Sequence, residues 1–261
     1  MNMMRAIKSG LRDIVAHMLR LLPQPRDSAV ILAYHSISES GSVFAVSPRV
    51  FESQMEWLKK NKYNVVSLDQ LATYRTAGTI PPKTIAITFD DGYRDNYFAA
   101  LPILQHFNFP ATVFVITSRI GGSWKLGQED VPLMSEEELR DLRASELFTI
   151  GAHTATHPRL PQVDSTRVAQ ELSESNRAIE SRFGSCAHFA YPHGRFTKEI
   201  RDAVARAGFS HAYTVAGSAV TPESDNYLLS RVEVAGTTTL TQFKAIATHG
   251  HWRVPFSSIR M

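Results

Sequence analysis

Short β-branched apolar runs alternate along this chain with amphipathic stretches of about ten residues, and no other feature restricts the fold as much. Strands are expected at 29–35, 65–66, 85–89, 112–116, 148–151, 188–191, 212–215 and 229–234. Helices are expected between them. One opens at Ser47-Pro48 with Phe51, Met55 and Leu58 on one face, and shorter ones cover 68–75 and the stretch ending near His106. Ser135 and Glu138 have the capping-box spacing, 166–183 is stopped by Gly184, 197–207 is closed by Gly208, and 240–249 is the last helix. Strand–helix–strand repeats imply right-handed crossovers and a parallel sheet. About seven such units without a glycine-rich dinucleotide fingerprint favour a closed or nearly closed α/β barrel over an open nucleotide-binding sheet.

Two strand exits carry chemistry. The run 85–89 stops at Asp90-Asp91-Gly92; side chains alternate along a strand, so adjacent acids share a pocket only where the backbone turns, which glycine permits. On its own such a triplet also serves as an acidic turn capping a helix. The run 148–151 feeds His153-Thr-Ala-Thr-His157-Pro158, and the proline places both imidazoles on a loop rather than on a helix face. One carboxylate and two imidazoles make a three-ligand metal site with an open position, a set that suits Zn2+ best, followed by cobalt, nickel or iron.

T-F-D-D-G at 88–92 and H-T-A-T-H-P at 153–158 resemble the first and second motifs of the polysaccharide deacetylases of carbohydrate esterase family 4. The resemblance runs from about residue 31 to 234. It implies a distorted (β/α)7-type barrel with functional residues at the carboxyl ends of its strands, and a metal-dependent hydrolase removing N-acetyl groups from N-acetylhexosamine units of a polysaccharide, oligosaccharide or glycan precursor. It assigns Asp91, His153 and His157 to the metal and Asp90 to the general base, a division that spacing alone leaves open.

The sequence also departs from that family. F-A-Y-P-H-G at 189–194 resembles the third motif, with Ala190 in the usual arginine position and His193 in the usual tyrosine position. Tyr191, Pro192, His193 and Gly194 are then expected on the substrate and oxyanion side, the backbone N–H at 193 helping to hold the oxyanion. The arginine that holds the catalytic aspartate must come from elsewhere, and Arg231 is expected to supply it; a surface ion pair is the alternative. Ordinary members carry a strand ending in the acid histidine near the C-terminus, and nothing after residue 234 fits. The matching strand is 31–35, as in the circularly permuted branch resembling poly-N-acetylglucosamine deacetylases. His35 is therefore expected as general acid, or as a histidine that orients Asp90 or lines the groove.

With 261 residues, 43% of them hydrophobic, the chain can bury a large single-domain core. Residues 27–261 are expected as the catalytic domain and 1–26 as a helical appendage. Met4, Ile7, Leu11, Ile14, Val15, Met18, Leu21 and Leu22 form one helical stripe ended by Pro23 and Pro25. It either lies on an anionic membrane through residues 1–22 or docks on the barrel. Residues 1–26 carry +4 of the net +3, so the body is slightly acidic and no nucleic-acid partner is expected. The single Cys186 precludes an intramolecular disulfide and is expected to be buried. No membrane span or cleavable signal is seen, which points to a cytoplasmic or peripheral-membrane location. Residues 118–134 are expected as an irregular connection able to wall a groove. A non-catalytic glycan-binding or scaffolding protein would need a damaged site, whereas both acids and both histidines are in place; a phosphoesterase would want a second metal.

Overall fold

The computed structural model describes residues 13, 14, 16 and 26–251. In chain order its elements are β1 Ala29–Tyr34, α1 Pro48–Lys60, β2 Asn64–Val65, α2 Leu68–Thr76, β3 Thr84–Phe89, α3 Leu101–Phe107 and β4 Ala111–Val115. Then follow β5 Ser123–Leu126, β6 Glu129–Pro132, α4 Glu136–Ala144, β7 Phe148–Ala152 and α5 Ser165–Phe183. Last come β8 His188–Ala190, α6 Lys198–Arg206, β9 His211–Thr214, β10 Leu229–Ser230, β11 Val232–Glu233 and α7 Leu240–His249. The expected helix starts hold: Ser47 caps α1 with proline in the first turn, and Ser135 and Glu138 form the capping box of α4.

All strands of the large sheet pair in parallel, in the order β10-β9-β8-β7-β4-β3-β1-β11, with β2 alongside the start of β3. Only Arg231 separates β10, which pairs with β9, from β11, which pairs with β1. Residues 229–233 therefore act as one strand that joins both edges, giving a nearly closed barrel. Its weakest seam is the single β7–β8 residue pair, Ala152 with Phe189.

Alternation along the strands sorts the side chains into two cores. Outward residues such as Leu32, Ile87, Val113, Ile150 and Phe189 pack beneath the helices. Inward Ile31, Ala86, Phe114, Ala190, Tyr213 and Leu229 fill the barrel, and Leu68 and Leu71 of α2 plug its amino-terminal mouth. Phe114 has room because β7 offers Gly151; a Cβ there would lie 2.6 Å from the Phe114 ring. Plugged from below, the barrel is open only at the carboxyl ends of its strands.

Two expectations change. The connection 118–134 contains an antiparallel hairpin, β5–β6, rather than irregular chain. The hairpin is fastened to the Asp90–Asp91 turn, because the Tyr93 hydroxyl donates to the Lys125 carbonyl at 2.7 Å and Met134 N–H donates to the Gly92 carbonyl at 3.0 Å. Most of the amphipathic appendage lies outside the described residues. Of its stripe, Ile14 is exposed, whereas the neighbouring Asp13 accepts hydrogen bonds from Thr239 and Gln242 at the start of α7. Cys186 is buried and free, as expected. Among the described residues no helix is long and apolar enough to cross a membrane.

Candidate active site

β3 delivers Asp90 and Asp91 to the open mouth. Asp90 N–H extends the ladder by donating to the Tyr34 carbonyl at 2.9 Å, and then the backbone enters the left-handed region at Asp91 (φ 70°) and Gly92 (φ 83°). That reversal lets two successive carboxylates face one pocket. A non-glycine residue in this region carries backbone strain, and His157 (φ 63°) and His193 (φ 58°) of the cleft share it.

Asp90 is gripped from across the barrel. Arg231 Nη1 and Nη2 donate to its two carboxylate oxygens at 2.6 and 2.7 Å, Nη1 also donates to Thr88 Oγ1 at 3.1 Å, and the guanidinium lies over the Phe114 ring. Arg231 is fully buried, which excludes the surface ion pair. Burial pushes the Asp90 carboxyl up, but Arg231, helped by His153, outweighs it and holds Asp90 ionised, well below the usual carboxylate range.

Asp91, His153 and His157 converge beside it. Asp91 Oδ1 lies 3.6 Å from His153 Nε2 and 3.5 Å from His157 Nε2, and the two imidazole nitrogens are 3.2 Å apart. His153 Nδ1 sits 2.8 Å from the Ala190 carbonyl, which can only accept, so Nδ1 carries a proton and Nε2 keeps its lone pair free toward the cluster. Burial and the neighbouring His153 and His193 push the His157 imidazole down to about 2, leaving it neutral and able to donate a lone pair. Burial pushes the Asp91 carboxyl up, and its Oδ1 is buried without a hydrogen-bond partner among the described residues. Electron-pair donors crowded without a proton between carboxylate and imidazole fit a divalent cation, and this trio is the one metal-competent cluster among the described residues.

The loop between the histidines is held by Glu171 of α5, which is fully buried and accepts from Thr156 N–H at 2.8 Å and Thr156 Oγ1 at 2.5 Å. Arg167 closes this network with a 2.6 Å ion pair to Glu171. Sequence reading missed Glu171, although an acid flanked by the buried Val168 and Leu172 was a visible signal.

A cleft of about 440 Å³ covers these groups. Its lining joins Asp90, Asp91, His153 and His157 to His35, Phe44, His193 and Gly194, with Trp124 and Lys125 from the hairpin and Glu233 from β11. Phe44 packs on the His35 ring, Trp124 meets His157 edge-on, and His193 meets His157 from another side. Of the expected substrate-side residues, His193 and Gly194 reach the cleft. Tyr191 and Pro192 do not: both are buried, and the Tyr191 hydroxyl donates to the Tyr227 carbonyl. The arrangement brings an ionised carboxylate, an Asp–His–His cluster able to hold a metal ion and a further imidazole into one cavity. A second cavity of about 430 Å³, between α5 and α6, contains none of these groups.

The sequence profile of the polysaccharide deacetylase family matches residues 77–212. The YxkH protein of Bacillus subtilis, named as a polysaccharide deacetylase, is 31% identical over 207 residues, which cover 78% of this chain and 71% of that one. A poly-β-1,6-N-acetyl-D-glucosamine N-deacetylase of Staphylococcus aureus is 25% identical over 238 residues, covering 82% of this chain and 81% of its own. Among solved structures, a de-N-acetylase from Aggregatibacter actinomycetemcomitans superposes with a TM-score of 0.74 at 25% identity, over 84% of this chain and 99% of that one. With its barrel and both motifs at the barrel mouth, the chain belongs to the polysaccharide deacetylase family.

Proposed function

We propose that the protein is a divalent-metal-dependent N-deacetylase acting on N-acetylhexosamine units of a poly- or oligosaccharide. The observation that carries this reading is one cleft holding Asp90, kept ionised by Arg231, next to the Asp91–His153–His157 triad. The similarity to a poly-β-1,6-N-acetyl-D-glucosamine N-deacetylase supports the substrate class.

In this reading Asp91, His153 and His157 hold the ion, with Zn2+ the best match to two imidazoles and one carboxylate. Such an ion, when bound, polarises an amide carbonyl and brings the pKa of its water near neutrality. Asp90 takes the proton of the attacking water; its pairing with Arg231 keeps a lone pair available and the carboxylate fixed. The backbone N–H of His193 helps to hold the developing oxyanion, that of Gly194 being already given to the Tyr191 carbonyl. His35 gives a proton to the departing amine, which leaves poorly without one. Residues 27–261 form the catalytic unit.

The test incubates the metal-loaded full chain with β-1,6-linked and β-1,4-linked N-acetylglucosamine oligomers and measures acetate and free amine in equal amounts. Stoichiometric release that stops in Asp90→Asn supports the reading. Binding of either oligomer without acetate release, by protein carrying one metal per chain, would leave the glycan-binding alternative in its place.

A further inference from the structure

The loop that carries His35 is not held by its own strand alone. It is clamped by two residues of the segment that follows the Asp90–Asp91 turn. Asn96 is fully buried and its Nδ2 donates to the His35 carbonyl at 2.8 Å. The Asp95 carboxylate accepts from Ile37 N–H at 2.9 Å and from Ser36 Oγ at 2.5 Å, and Asn96 Nδ2 also donates to Asp95 Oδ1 at 3.0 Å. The His35 carbonyl and the two residues that follow it are thereby tied to one dyad.

Local structure shows that these contacts are specific. Asp95 stands where a helix cap would stand, yet it makes no capping bond, because both its oxygens are turned to the β1 loop. The following residues, Asn96–Ala100, form a π-turn in which Leu101 N–H donates to the Asn96 carbonyl, a widened geometry that tends to occur at functional sites. His35 Nδ1 is buried with no hydrogen-bond partner among the described residues, so no side-chain bond sets the ring's direction. What remains to aim it is the backbone anchor and the Phe44 ring. Phe44 depends on the same loop, since its carbonyl accepts from Ser36 N–H at 3.2 Å.

We infer that Asp95 and Asn96 are positioning residues for His35, holding the proton donor at a fixed place relative to Asp90 and Asp91, only five residues upstream of the dyad. The inference rests on the reading of His35 as general acid. Base, metal ligand and acid would then share one rigid frame, and proton transfer falls steeply when a donor is displaced by even an ångström.

The experiment is a double-variant cycle on metal-loaded full chain. Asn96→Ala and Asp95→Ala are each made in wild-type and His35→Ala backgrounds, and kcat and KM are measured on an N-acetylglucosamine oligomer and on an activated aryl acetate, whose leaving group needs no proton. With His35 present, each dyad variant is expected to lower kcat on the amide about tenfold or more, with little change in KM, metal content or ester turnover. With His35 absent, the same changes should add almost nothing, and Asp95→Asn, which keeps an acceptor for Ile37 N–H, should recover much of the Asp95→Ala loss. Ser36→Ala repeats the test with a smaller perturbation where the Asn96 variant folds poorly. Losses of equal size in both backgrounds, or on both substrates, overturn the inference while leaving His35 as the acid. A His35→Ala protein with an unchanged amide rate removes the acid itself, and the positioning role with it.

Discussion

Arg231 and Asp90 meet as two parallel donor–acceptor pairs, at 2.6 and 2.7 Å, inside a barrel that buries both side chains almost completely. The attraction is strong because no water shields it, and for the same reason neither charge tolerates the loss of the other. Arg231→Met should therefore destabilise the fold by about 3–5 kcal/mol, the usual cost of stranding a buried charge. The double variant Arg231→Met with Asp90→Asn should be more stable than Arg231→Met alone. Urea midpoints of the wild type, both single variants and the double variant check this; strictly additive losses would show that the pair is not coupled.

Asp91→Ala and His153→Ala should each abolish metal retention through dialysis, because two remaining ligands make a weak site. Asp90→Asn should keep the metal, since Asp90 is oriented by Arg231 and not by the ligand trio, and should lose turnover by about a hundredfold or more. Elemental analysis beside an acetate assay separates the two classes. Full metal content in Asp91→Ala would remove Asp91 from the ligand set.

Glu171 touches no ligand atom, yet it fixes the peptide between His153 and His157 through Thr156. Glu171→Gln keeps the shape and weakens the acceptor, so metal affinity should fall by about 10–100-fold, the range seen when groups supporting the ligands are changed. Competition with a chromophoric chelator gives the affinity directly. Unchanged affinity would mean the loop is held by other contacts.

Burial and the neighbouring His188 and Arg75 push His211, near the amino-terminal mouth of the barrel, down to about 4. The unfolded chain protonates this residue below about pH 6.5. Between about 6.5 and 4 the unfolded state binds the extra proton, so stability present above that window is lost as pH falls through it. Urea midpoints of the wild type should drop from pH 7 to pH 4, and those of His211→Gln should drop less. Parallel curves would clear His211 of the effect.

Most of the barrel was legible because each strand and cap is a local pattern: apolar runs, Ser47-Pro48, the Ser135–Glu138 box. Arg231 was legible as a lone cation at an apolar strand. The β5–β6 hairpin was not, since Ser123–Leu126 and Glu129–Pro132 are largely polar and exposed, and their pairing is fixed by tertiary contacts to Tyr93 and Gly92. Asp95 and Asn96 were hidden for a different reason. A polar pair before an apolar run reads as a helix cap, and only the folded chain shows both side chains turned away to a strand some sixty residues earlier. Tyr191 and Pro192 were placed at the site by motif position, but strand alternation turns Tyr191 outward into the helix-covered core.

The five residues that join the sheet's two edges are the last strand residues in the chain. Without them Asp90 has no counter-charge, so a sheet lacking this strand would keep Asp91, His153 and His157 while losing the fixed carboxylate beside them. A single cut at this seam should silence the protein while leaving its metal triad in the longer fragment.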